Sequence, residues 1–158
     1  MKRGLKRLVL VLACGFVLAQ FSRPARTNPV ADNSRAIEAH LRVPPEVKAI
    51  FARACDDCHS NRTRWPWYSE VAPVSWWLTD HVRDGRRHLN FSDWARLTPG
   101  EADQMLGEIC RLSKINAMPM ASYTLMHRDA VLSPQDVGTL CAWAHDEQQH
   151  LAAGRGSR

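Results

Sequence analysis

The chain has 158 residues, 45% hydrophobic and 23% charged, which suits one packed domain and excludes a disordered chain. Its formal charge of +5 owes four units to Lys2, Arg3, Lys6 and Arg7, leaving +1 for the rest and no footprint for nucleic acid. Six tryptophans stand against two tyrosines, and most of the tryptophans fall between Trp65 and Trp94.

The four N-terminal charges precede an apolar run from Leu8 to Ala19. That length suits a signal-peptide core and is short for a spanning helix. Charge ahead of the run predicts a cytoplasmic N-terminus and export of the remainder of the chain. Residues 1–21 therefore read as a signal peptide or an N-terminal membrane anchor. The cleavage signal around Ala19-Gln20 is weak, so both remain open. Cys14 faintly matches a lipoprotein box, but apolar residues continue after it, and an ordinary position in the run is the better reading. Residues 22–43 carry Pro24, Asn28, Pro29, Asp32 and Asn33 with no sustained period, and read as a linker that lets an anchored domain stand off the membrane.

Pro44-Pro45 opens the first helix of a domain assigned to residues 44–150, since proline suits a first helical turn. Val47, Ile50, Phe51 and Ala54 recur at helical spacing. The helix is expected to run straight into Cys55-Asp56-Asp57-Cys58-His59, the Cys-x-x-Cys-His signature of c-type haem attachment. The chemistry explains the spacing. Two thiols three residues apart on a helical turn share a face and reach the two vinyl groups on one porphyrin edge. His59, next in the chain, then offers an imidazole nitrogen to the iron. Three other readings compete. A thioredoxin-like pair wants a βαβ context that is missing. A zinc site lacks a second pair of ligands. A structural disulfide leaves His59 without a role.

Beyond the motif, Trp65-Pro66-Trp67-Tyr68 reads as a rigid aromatic loop. A second helix after Pro73 carries Val74, Trp77, Leu78, His81 and Val82 on one face and is expected to fade by Gly85. Arg83, Arg86 and Arg87 read as a solvated helix face, with a propionate partner as the other reading for one of them. Asn90–Trp94 is a connection with two apolar anchors. Thr98-Pro99-Gly100-Glu101 is a capping box that opens a third helix with Ala102, Met105, Leu106, Ile109 and Leu112 inside. Asn116–Met120 breaks it, and a short helical piece comes next around Ser122–His127. Ser133-Pro134-Gln135-Asp136 opens the last helix, whose inner face is Val137, Leu140, Cys141 and Ala144. Residues 151–158 read as a flexible tail. Cys110 and Cys141 are either a disulfide, as an exported pair can be, or two small buried hydrophobes. The architecture predicted is all-α, a bundle of short helices around one cofactor.

From Cys55 to Trp94 the chain resembles the bacterial haem-binding domain family, small exported relatives of cytochrome c. The matching words are Cys-x-x-Cys-His-Ser-Asn, Trp65-Pro66-Trp67-Tyr68, Ala72-Pro73-Val74-Ser75-Trp76-Trp77, His81-Val82 with Gly85-Arg86, and Leu89–Trp94. Gln20-Phe21-x-Arg23-Pro24, Met118-Pro119, Tyr123 and His127 are similar too. The resemblance implies a cytochrome-c-like fold around covalent haem and supplies no enzymatic activity. The function expected is an exported, periplasmic electron carrier with one haem c per chain, tethered or secreted, serving an unnamed redox partner protein. A haem-based sensor with an open sixth position is the alternative, and a peroxidase-like centre a third. Cys55 and Cys58 hold the haem, His59 ligates iron, and Met118 is the expected sixth ligand, with Met120, His127 and His81 as rivals. The second nitrogen of His59 is expected to find a backbone carbonyl near Pro66 or Pro73.

Overall fold

The computed structural model describes residues 2–156. It is helical throughout, with no strand among the described residues. In chain order the helices are α1 (Lys2–Ala19), α2 (Ile37–His40), α3 (Pro45–Ala54), α4 (Asp56–His59), α5 (Val74–His88), α6 (Pro99–Lys114), α7 (Ala121–Met126) and α8 (Pro134–Gly156). Short 3-10 turns at Trp67–Glu70, Phe91–Arg96 and Arg128–Ala130 link them.

The local signals work where they are complete. Thr98 and Glu101 form the reciprocal capping box of α6, each side chain bonded to the other's backbone N–H. Ser133 and Asp136 do the same for α8. Asp136 also pairs with Arg53 of α3 at 2.7 Å. The core is built where α3, α6 and α8 meet. Phe51 stacks on Phe91 at 4.4 Å between centroids and meets the edge of Trp143 at 5.4 Å, with Val47, Leu106 and Leu140 fully buried beside them. Cys110 of α6 and Cys141 of α8 form a disulfide with Cα atoms 4.6 Å apart. Two X-Pro bonds, Ala72–Pro73 and Met118–Pro119, are cis.

Four elements differ from the sequence reading. The first helix does not run unbroken into the motif: Cys55 leaves helical geometry (φ −127°, ψ −42°) and separates α3 from α4. The second helix passes Gly85 and ends at His88; Gly85 serves a close approach to a neighbouring backbone and does not end the helix. The last helix continues past Leu151 to Gly156, in place of the flexible tail expected there; residues 157–158 lie outside the described residues, as does Met1 of the leader.

The fourth difference is residues 22–43, which are not a free spacer. Ala36, Ile37, Leu41 and Val43 are buried core residues. The indole N–H of Trp143 donates to the Arg42 carbonyl at 2.7 Å. Arg86 holds the earlier part, donating to Thr27 O at 3.0 Å and Asn28 Oδ1 at 2.7 Å. Turn-rich polar residues give no periodic signal, yet they dock through side-chain bonds to backbone.

Candidate functional site

The turn α4 is pinned from every side. Cys58 N and His59 N both donate to the Cys55 carbonyl, at 3.1 and 2.9 Å. Asp57, the second variable residue of the motif, is buried and accepts from Arg64 N at 2.9 Å and from Tyr123 Oη at 2.7 Å. Thr63 Oγ1 donates to its backbone carbonyl at 2.7 Å. Ser60 Oγ donates to Asp56 O at 2.8 Å and caps the turn. Helix α5 packs directly on it. A Cβ on Gly85 would stand 2.7 Å from the Cys58 carbonyl oxygen, so the glycine is what lets the two backbones approach.

That approach brings the end of α5 under His59. The ring's Nδ1 lies 3.0 Å from the Leu89 carbonyl. A carbonyl can only accept, so Nδ1 carries the proton and Nε2 keeps its lone pair. Burial lowers the His59 pKa, against the pull of the Leu89 and Gly85 carbonyls, and favours the neutral ring that ligates metal. The acceptor is therefore Leu89, and not a carbonyl of the proline loop near Pro66 or Pro73. The proline loop is occupied otherwise: Pro66 O accepts from Ser69, and Pro73 O accepts from Trp76 within α5.

Cys55 and Cys58 are free thiols. Burial first, then the neighbouring carboxylates Asp56 and Asp57 respectively, pushes Cys55 up to about 12 and Cys58 up to about 11. A thiol–disulfide exchange centre needs the opposite, an attacking thiol held low. No group of three or more metal-binding side chains of the zinc kind occurs among the described residues.

Three apolar clefts open around the turn. One of about 270 Å³ is lined by Cys58, His59, His81, Met118 and Met120. A smaller one of about 70 Å³ is lined by Cys55, His59, Phe91, Ile109 and Met118. A third of about 260 Å³ lies beside Cys58 and is walled by Trp67, Tyr68, Trp77, Met120 and Tyr123. All four residues singled out from the sequence, Cys55, Cys58, His59 and Met118, thus border neighbouring clefts. Met118 shares two of them with His59, whereas Met120 shares one. Asn116 adopts φ 53°, and the N–H groups of Asn116 and Ala117 return to Ser113 O and Leu112 O. This Schellman ending of α6 turns the chain so that Met118 faces the clefts.

The rival ligands are engaged elsewhere to differing degrees. His127 Nε2 is 2.7 Å from Tyr68 Oη and its ring stacks on Tyr123 at 4.2 Å. His81 Nδ1 bonds to Trp77 O one turn back, and its ring lies 4.1 Å from that indole. Arg86 is committed to Ser60 O and Thr63 Oγ1 as well as to residues 27–28, so it is structural; Arg83 and Arg87 pair with Asp80 and Asp84 on the solvated face. The resemblance marks Gly85, Leu89 and Tyr123 without saying what they do, and Asp57 is a variable position of the motif; their roles depend on contacts made across the fold.

A flat apolar group with a metal at its centre fits this donor set. Two thiols on one turn, a neutral imidazole with one nitrogen fixed, and apolar walls of Trp, Met and Tyr are what such a group needs. The sequence model of the haem-binding domain family matches residues 14–146, most of the chain. The chain belongs to the haem-binding domain family. It is accordingly a haem-binding protein with an all-helical fold. No curated protein and no solved structure matches it.

Proposed function

We propose that this member of the family is an exported, single-haem c-type protein that transfers electrons on the periplasmic side of the inner membrane. Cys55 and Cys58 would hold the vinyl edge of the haem by thioether bonds. His59 Nε2 would ligate the iron, with Leu89 O fixing the ring and its tautomer. Bound there, haem supplies one-electron exchange between its ferrous and ferric states. The chain's own part is to set the ligands and keep the site apolar. The observation that carries the reading is the short stretch Cys55–His59, which offers both free thiols and an imidazole held at 3.0 Å by Leu89 to the same set of clefts.

Met118 is the sixth ligand in this proposal, since it borders both clefts that contain His59. His127 is disfavoured because Tyr68 occupies its Nε2. Export draws support from the charged apolar leader and from the Cys110–Cys141 disulfide, a bond typical of oxidising compartments. One observation favours the alternative, a sensor with a displaceable ligand: Met118 is 37% exposed and α7 beside it has no buried residue.

A haemochrome spectrum of protein matured with c-type machinery tests attachment, with Cys58→Ala as the control. A wild-type spectrum without thioether-linked haem would refute the proposal. The weak sulfur-to-iron band at the red end of the ferric spectrum tests the ligand. It is expected in the wild type and lost in Met118→Ala. Survival in Met118→Ala with loss in Met120→Ala moves the ligand by two residues, and rapid carbon monoxide binding to the wild type favours the sensor.

A further inference from the structure

Walling a haem does not account for one feature, the outward exposure of an aromatic rim where the leader meets the domain. Trp67 is 73% exposed, Val74 40%, Trp76 39% and Trp77 45%. Trp67, Val74 and Trp77 line the 260 Å³ cleft, and Trp76 precedes Trp77 on α5. Scattered apolar side chains on a surface need no explanation, but two exposed tryptophans lining one cleft, with a third next to them in sequence, do.

The exit of α1 is bolted to this rim. Gln20 bonds to the Ala72 backbone through both ends of its amide, at 3.2 and 3.0 Å. The indole of Trp76 donates to Ser22 O at 2.7 Å. Arg23 donates to Glu70 O at 2.7 Å, and Arg26 pairs with the same glutamate. Whatever takes up α1 is therefore brought against the rim in a fixed relation.

The character of α1 decides what that is. Leu8, Val9, Leu10, Val11 and Leu12 are consecutive and all more than half exposed. Five consecutive residues pass more than once round a helix, so the apolar surface is a sleeve, not a stripe. A second protein chain would cover one face; lipid covers all of them. The apolar run Leu8–Ala19 is about 18 Å long, against about 30 Å for a bilayer core. No described helix is long and apolar enough to cross a membrane. So short a segment keeps its end close to the headgroup region, where tryptophan, with its apolar body and polar N–H, is the favoured side chain.

We propose that Trp67, Val74, Trp76 and Trp77 rest in the interface of a lipid bilayer, with the mouth of the apolar cleft facing the membrane. This rests on the export proposed above, with residues 1–21 retained as the membrane anchor, and is independent of the iron ligands. The site would then be reached from the lipid side, by apolar molecules or by partners embedded in the membrane.

The test is lipid photolabelling. The full chain is reconstituted into phosphatidylethanolamine–phosphatidylglycerol vesicles containing a phospholipid with a diazirine in its acyl chain, and adducts are mapped by mass spectrometry. Adducts are expected in α1 and in the peptide spanning 65–78, with the latter lost in the double variant Trp67→Ser/Trp76→Ser. Adducts confined to α1 overturn the proposal while leaving the membrane placement intact. Adducts in neither overturn both. Cross-links joining residues 65–78 of two copies, without lipid adducts there, identify a second copy as the occupant and also overturn it.

Discussion

Replacing Gly85 by alanine puts a methyl group 2.7 Å from the Cys58 carbonyl oxygen and 3.3 Å from its carbonyl carbon. Both partners are backbone, so no side chain can swing aside. Relief needs a separation on the order of 0.7 Å to approach ordinary contact distances. The movement has to carry α5 off the Cys55–His59 turn, and Leu89 moves with it. The 3.0 Å bond from His59 Nδ1 then opens toward the limit of a useful hydrogen bond. Overpacking of this kind costs about 1–3 kcal/mol and the weakened bond about 0.5–1.5. Against this, alanine in a helix gains about 0.8–1.0 kcal/mol over glycine. The expected net effect is a loss of about 0.5–3.5 kcal/mol and a fall in haem incorporation. Gly138 of α8 is the control: it has nothing within 4 Å of its would-be Cβ, so Gly138→Ala should show the helix gain alone. Urea titration of both variants, with haemochrome quantification of bound haem, reads the outcome. Equal stabilisation of the two variants, with unchanged haem content, would refute the argument that Gly85 sets the approach of α5 to the motif.

Other predictions concern the supports of the same site. Asn116 sits at φ 53°; Asn116→Val should cost about 1–2 kcal/mol in urea and weaken the sulfur-to-iron band, while Asn116→Gly should be neutral. Reducing Cys110–Cys141, which closes a separation of 31 residues, should lower stability by about 3–4 kcal/mol in the loop-entropy account; a urea midpoint that ignores reductant would contradict it. Burial raises Asp136, but Arg53 and Ser133 outweigh it and hold its carboxyl below the ordinary 3.8. A depressed acid contributes stability that is present above 3.8 and lost as pH falls through its folded value, so melting temperature should drop on acidification and the drop should be shallower in Asp136→Asn.

Much of this protein is written locally. Cys55, Cys58 and His59 point to haem because the Cys-x-x-Cys-His pattern is short enough to be read along one turn of the chain, and the family match agrees that haem is bound. Thr98 with Glu101, and Ser133 with Asp136, locate the starts of α6 and α8, because a capping box closes within four residues. The all-helical architecture comes from apolar periodicity along α3, α5 and α6. Tertiary structure alone decided how the turn is held. Asp57 and Tyr123 lie 66 residues apart in sequence and meet at 2.7 Å. The acceptor for His59 is the carbonyl of Leu89, 30 residues away, and every residue supplies a carbonyl, so side-chain identity carries no trace of which one arrives. Residues 22–43 look like a spacer because polar turn residues have no period, but once Arg86 and Trp143 are in place their backbone is bound. The pairing of Cys110 with Cys141 likewise waited on the packing of α6 against α8, since two cysteines bridge only when the fold brings their Cα atoms within about 7 Å.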